Sequence, residues 1–114
     1  KKRFCKCYYI KGNYFCSLYS ASKGAVVAFT KSLALELANV PVRVNCVAPG
    51  DILTPLTEAQ IKKSGETVGD LAKIYPIGRI GEAQEVASAI YFLASEKASF
   101  ITGAVLSVDG GLTA

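Results

Sequence analysis

The 114 residues contain no histidine, no methionine and no tryptophan. Without an imidazole neither a Ser-His-Asp nor a Cys-His relay can operate, and the commonest zinc ligand is missing too. The four cysteines, Cys5, Cys7, Cys16 and Cys46, include no pair separated by two residues. That removes the zinc-knuckle and dithiol redox motifs, and ordinary reduced thiols are expected. No two of the ten glycines are separated by one residue, so a Gly-x-Gly phosphate-binding turn cannot form. Lys6, Lys11 and Asn13 interrupt the aromatic start, and no run approaches the ~20 apolar residues of a membrane helix. Charge is also sparse. Thirteen Lys and Arg against nine Asp and Glu leave +4, three of the cations are Lys1, Lys2 and Arg3, and no basic stripe recurs later. These absences predict a soluble, cytoplasmic protein with no metal site, no membrane span and no nucleic-acid surface.

What is abundant is apolar, 51% of the residues. A chain of this size holds one core at most and leaves much of its surface outside it, so part of the apolar content is expected to face a partner. Residues 1–18, rich in Lys, Cys and aromatics without a clear period, read as a divergent segment with at best a short strand near Cys7–Ile10. From Ser20 to Ala38 the spacing of Ala25, Phe29, Leu33 and Leu37 predicts a helix, apolar enough around its girth to be buried on two sides. Asn39 and Pro41 end it. Val42–Ala48 reads as a strand closed by Pro49-Gly50, and 51–76 as a polar stretch with one or two short helices. Glu82–Ser95 is a second helix with acids in its first turn, and Ala104–Val108 a second strand. Helix and strand in alternation predict an α/β fold with a parallel sheet. Two strands cannot cover the faces and edges of such a sheet, so the chain holds one end of an α/β domain rather than a whole one.

Tyr19-Ser-Ala-Ser-Lys23 heads the first helix. Positions four apart share a face, so the phenol and the ammonium can lie side by side. A neighbouring cation favours phenolate and lowers a tyrosine pKa from its usual ~10, which suits proton exchange with a carbonyl or an alcohol near neutrality. By itself such a pair is more often an exposed helical contact. Pro49-Gly50 by itself is as readily a plain turn as a ligand-approaching one.

The surroundings change that balance. Tyr19-Ser-Ala-Ser-Lys-Gly-Ala25, Leu33–Ala38, Val42–Asn45 and Ala48-Pro-Gly-Asp-Ile-Leu-Thr54 resemble the short-chain dehydrogenase/reductase family. Gly78–Gly81, Glu85–Ala87, Phe92–Ser95, Ile101–Gly103 and Val108–Gly111 continue the resemblance in order. Its nearest flavour is the classical type, like the 3-oxoacyl-carrier-protein reductases, and it implies that 19–114 are the carboxyl-terminal part of a doubly wound, Rossmann-like domain, incomplete. The resemblance implies hydride transfer between NAD or NADP and a small-molecule alcohol or ketone, with Tyr19 as general acid/base and Lys23 on the nicotinamide ribose. It implies that Pro49 and Gly50 shape the loop beside the nicotinamide, and that the Ile52 backbone and the Thr54 hydroxyl bond the cofactor. It makes 55–75 the substrate lid, gives Arg79 and Asp109 loop-organising roles, and implies a homo-oligomer through the 82–95 helix and the 104–108 strand.

The family's pattern also includes a glycine-rich turn for the pyrophosphate and a catalytic serine, and neither has a match here. The expectation is therefore that the chain alone is inactive. The alternatives to an oxidoreductase segment are a non-catalytic fragment that docks on full-length relatives and a remnant without function.

Overall fold

The computed structural model describes residues 16–114. The short strand expected near Cys7–Ile10 and most of the divergent segment lie outside them. The first helix, α1 (Ser17–Glu36), starts three residues before the expected Ser20. It ends two before Ala38 because the last turn tightens: the Leu37 N–H reaches Leu33 O at 3.0 Å, while the Ala38 N–H reaches only Leu35 O at 3.2 Å. Only Thr30 and Ala34 of α1 are buried, and the Thr30 hydroxyl is satisfied within the helix by Val26 O at 2.8 Å. Leu18, Val26, Phe29 and Leu35 are exposed, so the expected burial on two sides is realised on one.

Two parallel strands carry the sheet, β1 (Cys46–Pro49) and β4 (Val105–Val108), with Cys46 opposite Val105 and Pro49 opposite Val108. The strand expected from Val42 begins four residues late because side chains do the pairing before it. The Asn45 amide donates to Ile101 O at 2.9 Å and accepts from the Ala104 N–H at 3.0 Å. One residue earlier the Val44 N–H meets the Thr102 hydroxyl, and the Gly103 N–H meets Val44 O. Arg43 turns away altogether, toward the end of a later helix.

Between the strands, β2 (Ile52–Leu53) and β3 (Gly81–Glu82) form a short parallel pair that the sequence did not announce. The polar stretch resolves into α2 (Pro55–Ser64) and α3 (Val68–Ala72). Both start on threonine caps, Thr54 accepting from the Thr57 N–H and Thr67 from the Asp70 N–H. Pro55 opens α2, and Gly65, at φ +74°, closes it in the left-handed region that suits glycine. The last long helix, α4 (Ala83–Ala94), runs into a 3-10 turn at Glu96–Ala98. Arg43 caps it from outside: its guanidinium donates to Leu93 O at 2.7 Å, Ser95 O at 3.0 Å and Ile101 O at 3.2 Å. A cation at the carboxyl end of a helix meets the orphan carbonyls and the negative end of the dipole together. The small core, Leu71, Tyr75 and Ile80 with Ile61 and Leu112 against it, sits beneath α3 and the chain's last turn. The α/β part-domain with parallel strands is the one the order of elements predicted.

Candidate active site

Tyr19 and Lys23 stand one turn apart near the start of α1, in a stretch with no Pro or β-branched residue to disturb the helical stacking. The Lys23 ammonium lies over the Tyr19 ring, 5.3 Å from its centroid, within the range of a cation–π contact. The ring is half exposed, so its hydroxyl is open to a ligand. Beside the pair is a cavity of about 160 Å³, walled by Tyr19, Lys23, Val26 and Val27 of α1 and by all four residues of β1. Pro49 therefore joins the Tyr-Lys pair at the carboxyl end of a parallel strand, the edge at which such sheets take ligands.

The other residues expected at the site stand elsewhere. Gly50 faces a second cavity, of about 210 Å³, with Tyr75, Arg79 and Glu85. A Cβ on Gly50 would come within 2.8 Å of Tyr75 Cε1, so glycine is required there by close packing. Ile52 is committed to the β2–β3 pair, and its carbonyl accepts from the Thr57 hydroxyl at 2.6 Å. The Thr54 hydroxyl is spent on capping α2, shared between the Thr57 N–H and the Thr57 hydroxyl at 3.0 Å. Neither residue lines the Tyr19 cavity.

Cys46 was not singled out, yet it walls that cavity and is a free thiol. Its place in a strand directly after Asn45 was the available signal. Cys16 is disulfide-bonded, which departs from the expectation of four reduced thiols. Among the described residues no group of three or more His, Cys, Asp or Glu could hold a metal, and no helix is long and apolar enough to cross a membrane.

Around the second cavity the chain orders itself by charge. Arg79 and Glu85 form a two-pronged pair at 2.8 and 2.6 Å, and Glu85 also accepts the Glu82 N–H at the head of α4. The Arg79 guanidinium, with that amide, holds the Glu85 carboxyl down at about 2. The Thr67 hydroxyl and Lys73 hold Asp70 at about 2 likewise. Depressed carboxyls of this kind stabilise the fold fully above their unfolded value and lose the contribution as pH falls toward the folded one. The Glu85 contribution is thus lost from about pH 4.5 down to about pH 2. Glu85→Gln should flatten the fall of melting temperature with pH across that window, while Asp70 keeps part of the slope; a thermal melt series from pH 7 to pH 2 on both chains reads the difference. Asp109 organises the final loop, accepting the Gly111 N–H and the Thr113 hydroxyl, as expected of a loop residue.

Known proteins resemble the chain over most of its length. A family model described as enoyl-(acyl carrier protein) reductase matches residues 9–113, and so extends ten residues upstream of Tyr19. The 3-oxoacyl-[acyl-carrier-protein] reductase FabG of Thermotoga maritima is 50% identical over 103 residues, which are 90% of this chain and 41% of that protein. A glucose and ribitol dehydrogenase homolog of Oryza sativa is 48% identical over 102 residues, 90% of this chain and 33% of that one. Among solved structures, ligand-free aldohexose dehydrogenase of Thermoplasma acidophilum superposes with a TM-score of 0.83 at 42% identity, over 92% of this chain and 44% of that chain. ElxO with NADP bound gives 0.84 at 38%, over 91% and 42%. The chain spans less than half the length of each of these relatives. With a family match over nearly all its residues, the chain belongs to the short-chain dehydrogenase/reductase family.

Proposed function

We propose that this chain is the carboxyl-terminal part of an NAD(P)-dependent oxidoreductase that interconverts a small-molecule alcohol and ketone. The observation that carries the reading is the Lys23 ammonium held over the Tyr19 ring at the mouth of a cavity that β1 closes. An ammonium has three donors and a phenol one, a set that fits the neighbouring hydroxyls of a ribose. The cavity, at about 160 Å³, is smaller than the roughly 300 Å³ at which small-molecule sites begin, so it suits the nicotinamide end of the cofactor alone. Nothing in the 114 residues offers a Gly-x-Gly cradle to the pyrophosphate end. Bound there, the nicotinamide would supply or accept the hydride. Tyr19 would give its proton to the carbonyl oxygen in reduction and take the hydroxyl proton in oxidation. Lys23 would stabilise the negative charge left on the Tyr19 oxygen when its proton leaves, and orient the ribose. NADP in the ElxO neighbour supports NAD or NADP as the cofactor.

On this reading the missing pyrophosphate cradle leaves the isolated chain inactive. The test is a graft. Residues 19–114 replace the matching segment of the Thermotoga maritima reductase, and reduction of a 3-oxoacyl substrate is followed by cofactor absorbance. Turnover in the graft and none in the isolated chain is the expected result. A folded graft without turnover would sink the proposal.

A second reading, a non-catalytic segment that docks on a full-length relative, draws on a different observation. Ile90, Tyr91 and Phe92 of α4 and the nearby Phe100 are exposed, Phe100 completely. An apolar patch of that kind beside the open edge of β4 suits pairing through the 82–95 helix and the 104–108 strand.

A further inference from the structure

We propose that Tyr75 is a positioning residue that fastens the Pro49–Gly50–Asp51 turn, and with it one wall of the Tyr19 cavity, to the segment carrying α3. The proposal rests on the reading of that cavity as the reaction site. Tyr75 follows α3 in a run of tight turns, its N–H on Ala72 O at 3.1 Å and its carbonyl accepting from the Gly78 N–H at 2.8 Å. Its ring is 5% exposed and packs with Leu71 and Ile80. The phenol does not end in the core. Its oxygen accepts the Asp51 N–H at 2.6 Å.

Bonds from three sides help to hold the turn. The Gly50 N–H reaches Val108 O at 3.0 Å and ties it to the sheet; Asp51 O accepts the Gly81 N–H at 2.9 Å; the third is Tyr75. Of these, Tyr75 alone supplies a side chain. Gly50 is the other half of the device. A Cβ there would lie 2.8 Å from Tyr75 Cε1 and 3.2 Å from its hydroxyl, so only glycine lets the turn come down onto the phenol. Pro49, the residue before it, walls the Tyr19 cavity. A phenylalanine would fill the same space in the core, so the hydroxyl serves the turn. By this route a displacement of the α2–α3 segment is felt at Pro49 through one ring and one hydrogen bond.

The test uses the full chain labelled with ¹⁵N, with nicotinamide mononucleotide as probe. Amide exchange at Asp51 and the shifts of the Ala48 and Gly50 amides on titration are read in wild type, Tyr75→Phe and Lys23→Ala. Expected for Tyr75→Phe are at least tenfold faster exchange at Asp51, unchanged exchange along β1, and several-fold weaker binding of the mononucleotide. Unchanged Asp51 exchange would overturn the proposal. Faster exchange with undiminished binding would overturn it also, since Tyr75 would then be a core residue only. A wild-type chain blind to the mononucleotide, or equal binding in Lys23→Ala, defeats instead the reading of the cavity; the Asp51 exchange rate then decides the fastening by itself. Should Tyr75→Phe fail to fold, Gly50→Ala lifts the turn off the ring with the hydroxyl intact. It must give the same faster exchange at Asp51, and unchanged exchange there counts against the proposal.

Discussion

Tyr19→Phe in the grafted reductase is expected to lower turnover by roughly 10²–10⁴, the usual worth of a positioned proton donor. A loss of ~10³ corresponds to about 4 kcal/mol at the transition state. The ring is half exposed and its hydroxyl does not close a core contact, so the fold should barely register the change. Measuring kcat and melting temperature on the same variant separates the two. Loss of turnover with the melting point kept is proton-transfer chemistry; a joint fall would make Tyr19 a structural residue. The phenyl ring that remains still gives Lys23 a face to pack on, so binding of the cofactor should fall less than kcat.

Arg43→Ala is expected to cost about 2 kcal/mol of stability, the range of hydrogen bonds made by a charged group. For a chain of this length that is a drop in melting temperature on the order of 10 °C. Three bonds go at once: Leu93 O, in a buried residue, loses the guanidinium, while Ser95 O keeps only the Ala98 N–H and Ile101 O only the Asn45 amide. Arg43→Lys should recover only part of it, because one ammonium cannot imitate a planar fork that spans three acceptors. A thermal melt of the two variants beside wild type checks this, and full recovery by lysine would show that charge alone matters.

Arg43 also shows why the element pattern could be read and its edges could not. Val42-Arg-Val-Asn alternates like a strand, and period-2 patterning says nothing about a side chain that reaches away to cap a helix 50 residues on. The two long helices were legible because their repeats are long, with each end misplaced by three residues or fewer. Thr54 and Thr67 are good caps, and with Gly65 they account for the two helices found where one or two were expected. The β2–β3 pair, two residues long on each side, is shorter than any pattern can register. At the site, Tyr19 and Lys23 were legible because their contact is local to one helix. Pro49 came to wall the same cavity. Gly50, Ile52 and Thr54 did not, since where a turn after a strand points depends on what packs beneath it, here Tyr75 from 24 residues away.

The β1–β4 register has a consequence in time. Cys46 meets Val105 across 59 residues, 105 minus 46. Closing a loop of that length costs about 3.6 kcal/mol of chain entropy before any pairing bond repays it. The backbone bonds of α1, before the loop, and of α2 and α3, inside it, are local and form without waiting for that event. A refolding chain therefore acquires α1 with Tyr19 and Lys23 aligned early, on the timescale of helix growth. The wall they face exists only once β1 has found β4, so a long-range search is what gives the cavity its second side.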